Sequence, residues 1–97
     1  MIIRIVKMSF RADAVNDFLD NFARHKEEIR HFPGCEHLEL LQQVDEPGVY
    51  FTYSWWRDES DLEAYRSSEL FQEVWAFTKK LFADRPQAWS VVQKEKL

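Results

Sequence analysis

The sequence predicts an α+β fold of four strands and two helical regions in the order β-α-β-β-α-β. Three observations carry that prediction. Three segments of strand length are rich in β-branched and aromatic residues and a fourth alternates leucine with polar residues, two longer segments repeat apolar residues at helical spacing, and Pro and Gly punctuate the joins. With 97 residues, 45% of them hydrophobic, the chain encloses one core and reads as a single domain over residues 1–97. A cofactor domain plus a substrate domain would not fit.

Met1 to Phe10 is nearly continuously apolar, as a strand covered on both faces would be. From Asp13 to His31, Val15, Phe18, Leu19, Phe22 and Ile29 recur at helical spacing, with Asp13 as the expected N-cap. Phe32-Pro33-Gly34 stops this helix, because proline disfavours helical geometry in the residue before it and glycine supplies a positive φ. Glu36 to Gln43 then sets Leu38 and Leu40 on one face and His37, Glu39 and Leu41 on the other, a pattern that suits an edge strand. Asp45-Glu46-Pro47-Gly48 turns the chain into the aromatic strand Val49 to Trp56. Asp58 caps a short helix carrying Leu62 and Tyr65, and Ser67-Ser68 caps a second one carrying Phe71, Val74, Trp75, Thr78, Leu81 and Phe82, so the second helical region is broken. Arg85-Pro86 precedes the last strand, Ala88 to Val92, and Lys94 to Leu97 is a polar tail.

Two β-α-β halves joined by a hairpin make the ferredoxin-like arrangement, a four-stranded antiparallel sheet with helices on one face. Strands one and three are apolar or aromatic on both faces, so the uncovered face would leave a large apolar patch in water. A homodimer through the open sheet face hides it by a closed two-fold contact.

Composition narrows the function classes. Thirteen basic against seventeen acidic residues give a formal charge of −4, the wrong sign for holding a phosphate backbone, so nucleic acid is not an expected partner. The aromatic Phe51, Tyr53 and Trp55 resemble an RNA-binding strand superficially, but the basic-glycine-aromatic run of such domains is missing. A single Cys35 excludes an internal disulfide, and neither a signal peptide nor an apolar run near eighteen residues is present, so no membrane contact and a cytoplasmic location are expected.

The opening Met-Ile-Ile-Arg-Ile-Val-Lys-Met, Phe32-Pro33-Gly34-Cys35, Trp55-Trp56-Arg57-Asp58-Glu59, and Leu62-Glu63-Ala64-Tyr65-Arg66-Ser67-Ser68-Glu69-Leu70-Phe71 together resemble the antibiotic biosynthesis monooxygenase family. The resemblance spans nearly the whole chain. It implies pairing into a dimeric α/β barrel, with a pocket in each subunit between sheet and helices, where some members oxygenate aromatic polyketides or quinols with no metal or flavin cofactor. Other members degrade haem, using a first-strand asparagine and a tryptophan and ligand histidine on the second helix. Those positions fall here at Lys7, Tyr65 and Trp75, which leaves no obvious axial ligand and makes haem degradation the lesser reading. Many monooxygenase-like members carry a histidine where Tyr65 stands.

A cofactor-free oxygenase needs a dry cavity for a flat electron-rich molecule, a base, and donors for a developing oxyanion. Trp56, Phe71, Trp75 and Tyr53 are the expected wall, with Lys7 as a possible anion-binding group in mid-strand. Tyr65 and His37 are the candidates for proton transfer or substrate orientation, His37 because imidazole is the side chain best suited by type to general acid-base work. Core packing of the aromatics and a solvated or dimer-contact His37 are the competing structural readings. Arg4, on the other face of the strand from Lys7, is expected to pair with a carboxylate across the dimer interface, and Cys35 to be a packing residue. His25 and His31 stand six apart, off the i, i+4 spacing of a metal pair; His31, Cys35 and His37 are close only in sequence, so no metal site is expected. The function expected is oxidation of a flat aromatic or quinol-like small molecule by dioxygen. The alternative is a non-catalytic small-molecule-binding or stress-related dimer of the same fold.

Overall fold

A computed structural model describes residues 1–97. Strands β1 (Ile2–Ser9), β2 (Cys35–Gln42), β3 (Val49–Trp56) and β4 (Gln87–Val91) form one sheet in the order β2-β3-β1-β4. Every neighbouring pair is antiparallel. Helices α1 (Val15–Arg30), α2 (Glu59–Arg66) and α3 (Glu69–Thr78) complete the α+β, ferredoxin-like fold. β2 is an edge strand, as its half-polar pattern predicts.

The helix starts separate good caps from a poor one. Asp58 has extended backbone and its side chain accepts from the Asp61 amide at 3.1 Å, and Ser68 likewise accepts from the Phe71 amide at 3.1 Å. Hydrogen bonds from Ser60 and the Asp61 amide hold the Asp58 carboxyl below its usual pKa. Asp13 is not the cap of α1, which corrects the expectation: it lies inside a 3-10 turn over Ala12–Ala14, where its carboxylate faces Arg11 at 3.4 Å instead of an amide. At the other end, α3 stops at Thr78, a second 3-10 turn takes Lys79–Leu81, and Phe82 is already extended, so the expected helix through Phe82 is four residues too long.

Register decides what each face carries. Arg4 pairs with Ser54 and Ser90, Val6 with Thr52 and Ala88, and Met8 with Tyr50, and this row faces the helices. Ile3, Ile5 and Lys7 pair with Trp55, Tyr53 and Phe51, and this row faces away from them. A bulge between Cys35 and His37 puts Cys35 opposite Trp56, on the helix side, while His37 pairs with Trp55.

The core is split. One cluster joins Met8, Phe10, Ala14, Phe18, Tyr50 and Leu81, and a second joins Cys35, Trp56 and Leu62, with Phe32 and Tyr65 packed against it. Trp56 is fully buried. Gly34 closes α1 onto the second cluster with φ +90, and a Cβ there would lie 2.3 Å from Cγ of Asp61. Only glycine meets both demands. Gly34→Ala should therefore cost about 2 kcal/mol from the strained backbone and the collision, seen as a melting temperature roughly 10 °C lower at equal protein concentration. An unchanged melting temperature would contradict the packing described.

Candidate functional site

Between the two core clusters lies a half-open cavity of about 290 Å³. It forms because the helix-facing row of the sheet is small in its middle. Val6, Thr52, Ser54 and Ala88 make the floor there, flanked by the larger Met8 and Trp56. Phe18, Phe22 and Ile29 of α1 form one side, and α2 and α3 contribute Leu62, Tyr65, Phe71, Val74, Trp75 and Thr78.

The opposite side is a run of aromatic rings in contact. Trp56 stacks on Tyr65 with centroids 4.9 Å apart, Tyr65 meets Phe71 edge-on at 5.2 Å, and Phe71 lies parallel to Trp75 at 5.8 Å. The break between α2 and α3 makes this possible. Ser68 accepts from the Phe71 amide and donates to the Tyr65 carbonyl at 2.6 Å, so one side chain ends one helix and starts the next. Tyr65 and Phe71 then face each other at 80°.

Four of the expected site residues therefore meet: Trp56, Tyr65, Phe71 and Trp75 all line the cavity. Three do not. Tyr53, His37 and Lys7 belong to the row on the other sheet face, as strand alternation requires of residues one place away from Thr52, Leu38 and Val6. His37 instead contacts Glu39 Oε2 through its Nε2 and packs on Trp55 with centroids 4.8 Å apart. No histidine, lysine or carboxylate lines the cavity.

Two arginines do. Arg4 was expected at the dimer interface, but it lines the cavity, because it shares its strand face with Val6 and Met8. Its guanidinium is half-buried and donates from Nη1 to Ser90 Oγ at 3.0 Å. Burial holds its pKa below the usual arginine value, the nearby Arg66 adds to that, and Glu63 opposes it. Arg66, exposed at the rim, pairs with Glu63 at 3.1 Å. The signal for Arg4 was present in the sequence as a cation in the interior of an otherwise apolar strand, and only the assignment of its face was wrong.

The titratable groups of the wall favour neutral forms. Burial, and secondarily Cys35, push the Tyr65 phenol well above its usual pKa, so it is a hydrogen-bond donor and not a base at neutral pH. Burial likewise raises the Cys35 thiol, which fits packing and not nucleophilic attack. The Trp56 indole already donates to Ser54 Oγ at 3.0 Å, which fixes the ring against the floor. No three His, Cys, Asp or Glu side chains converge as metal ligands would, and no helix is long and apolar enough to cross a membrane.

The fold recurs in solved structures. An antibiotic biosynthesis monooxygenase is 17% identical with a TM-score of 0.91, over 98% of this chain and 100% of that one. A conserved protein from Methanosarcina mazei Go1 is 21% identical with a TM-score of 0.90, over 97% of this chain and 94% of that one. A mutant of SnoaB, a cofactor-independent oxygenase from Streptomyces nogalater, is 17% identical with a TM-score of 0.87, over 99% and 95%. At these identities the likeness is one of fold. No curated protein matches the sequence. The model of the family described as antibiotic biosynthesis monooxygenase matches residues 1–76, and with that share of its 97 residues inside the match the chain belongs to the antibiotic biosynthesis monooxygenase family.

Proposed function

We propose that the protein is a monooxygenase that binds a flat aromatic or quinol-like molecule between sheet and helices and oxidises it with dioxygen. Family membership supports the reaction class, and a structural neighbour bears the description of a cofactor-independent oxygenase. The observation that carries the substrate class is the cavity itself, about 290 Å³ with a continuous aromatic wall from Trp56 to Trp75. Parallel rings on that wall offer stacking to a planar ligand.

The chemistry balances without an added reductant if the substrate supplies all four electrons. An acidic methylene between aromatic rings loses a proton, and its carbanion adds dioxygen to give a peroxide. Loss of the second C–H proton and cleavage of the O–O bond then yield a carbonyl and water. In this scheme Tyr65 donates to the peroxide oxygen as negative charge gathers there, a role its raised pKa suits. The proton acceptor is solvent, since no histidine, lysine or carboxylate lines the cavity and the two arginines that do are already protonated. The same lack of a base favours a second reading, a binding protein that holds the aromatic molecule without turning it over.

The open sheet face supports a homodimer. Phe51, Tyr53 and Trp55 run along its centre, Leu41 lies on one edge strand and Trp89 and Val91 on the other, the last three more than a third exposed. The occupant proposed is a second copy, because this patch spans all four strands and a two-fold contact covers it without leaving another.

Three outcomes test this reading. Anthrone as substrate, followed with an oxygen electrode, should give uptake that Tyr65→Phe slows by about 10- to 100-fold; binding without uptake would favour the second reading. Thr52→Leu, which fills the floor, should weaken anthrone binding by roughly tenfold or more while the melting temperature holds or rises. In light scattering the protein should weigh twice its 11.7 kDa chain mass and Phe51→Glu should be monomeric; a wild-type monomer at micromolar concentration would defeat the dimer.

A further inference from the structure

The cavity's charge is at odds with the chain's. The protein carries seventeen acidic residues and a formal charge of −4, yet none of those acids lines the cavity, whereas Arg4 and Arg66 both do. Arg4 rises from the floor in the middle of β1, flanked across the ladder by Ser54 and Ser90. Its one side-chain hydrogen bond within the chain goes to Ser90 Oγ, and no carboxylate lies within ion-pair distance of it. A half-buried guanidinium ordinarily has a carboxylate partner, because desolvating a cation is costly and a planar fork of five donors is poorly satisfied by one hydroxyl. Glu63 is the carboxylate whose charge it feels, and Glu63 is held by Arg66. The second guanidinium adds like charge beside the first, an arrangement that favours an anion between them.

We propose that the molecule bound in this cavity is a flat aromatic anion, its negatively charged oxygen group seated on Arg4 with Arg66 at the rim, and its ring against Tyr65, Phe71 and Trp75. The inference rests on the reading of the cavity as an aromatic-binding site and adds to it the charge of the ligand and the residue that selects it. Arg4 is then a specificity-determining residue, and its cation stabilises the ionised form of the ligand where the cavity offers no base. An apolar cavity without the two arginines would prefer the neutral member of any matched pair of ligands, since the anion loses more hydration on entry.

The test is a matched pair of probes of one ring size. Binding of 2-naphthoate, an anion at pH 7, and of 2-naphthol, neutral at that pH, is measured by calorimetry on the wild-type protein, Arg4→Gln and Arg66→Gln. The expected result is that wild type binds naphthoate at least ~10-fold more tightly than naphthol, with an affinity that falls as salt rises, as a charge-assisted contact does. Arg4→Gln should lose that preference, with Arg66→Gln intermediate, since Arg66 is the more exposed of the two. Equal binding of the two probes by wild type, or tighter binding of naphthol, overturns the anion anchor and leaves the aromatic cavity standing. No binding of either probe overturns the cavity reading and this inference together. Because the wild-type preference and its salt dependence are read without any variant, an Arg4→Gln protein that fails to fold does not remove the test.

Discussion

The structure turns on how β3 divides its side chains. Thr52 and Ser54 point toward the helices and Phe51, Tyr53 and Trp55 point away, because successive residues of a strand alternate between faces. Were the parity reversed, three aromatic rings would fill the space beneath the helices and the small Thr52 and Ser54 would stand at the centre of the sheet's outer face. As it is, the large residues build an open apolar face and the small ones leave a hollow. The cavity and the candidate dimer surface are two consequences of one alternation.

The helices complete what the strand begins. A single helix through residues 59–78 would lie straight across the sheet, whereas Ser67 and Ser68 divide it so that Tyr65 closes the end near Trp56 and α3 carries Phe71 and Trp75 along the side. Asp58 and Gly34 fix the start of α2 from two directions. The Asp58 side chain caps it, and the Arg57 amide donates to the Gly34 carbonyl at 2.8 Å, tying the exit of β3 to the turn after α1. Arg57 in turn holds Asp61 through two hydrogen bonds of 3.1 and 3.2 Å. Short-range polar contacts thus position an aromatic wall whose members are spread over twenty residues of sequence.

Element order, the edge position of β2 and the broken second helix were legible because each has a local signature in turn residues, a half-polar alternation or a serine cap. The shared face of Leu38 and Leu40 was legible for the same reason, the alternating His37 and Glu39 being polar. What could not be read was which face of β1 and β3 looks inward, since both carry apolar residues on both faces and alternation fixes relative, not absolute, direction. Arg4, Lys7 and Tyr53 were misplaced by that ambiguity, each by one whole face. His37 was placed on the polar side of β2 correctly, and that placement already argued against its reaching a site under the helices. The useful signal was size: Thr52 and Ser54, alternating with three aromatic residues, mark a row where the fold needs room.

A hollow of this size is a burden for a small domain. If it were closed and dry, about 290 Å³ of void would cost on the order of 7 kcal/mol, as much as the whole stability of many such domains. The arginines and hydroxyls resolve the conflict. A half-open cavity with Arg4, Ser54, Thr52 and Thr78 among its lining offers polar partners to water, so it is not the closed, dry void of that estimate. A ligand must then replace both kinds of contact, covering the aromatic wall and meeting the guanidinium that water would otherwise solvate. A purely apolar ligand would strand Arg4, and a small inorganic anion would leave the rings wet. The same side chains that make the hollow tolerable in the free protein therefore set the terms of recognition, and a planar ring with a charged oxygen at one end is the chemistry that satisfies both.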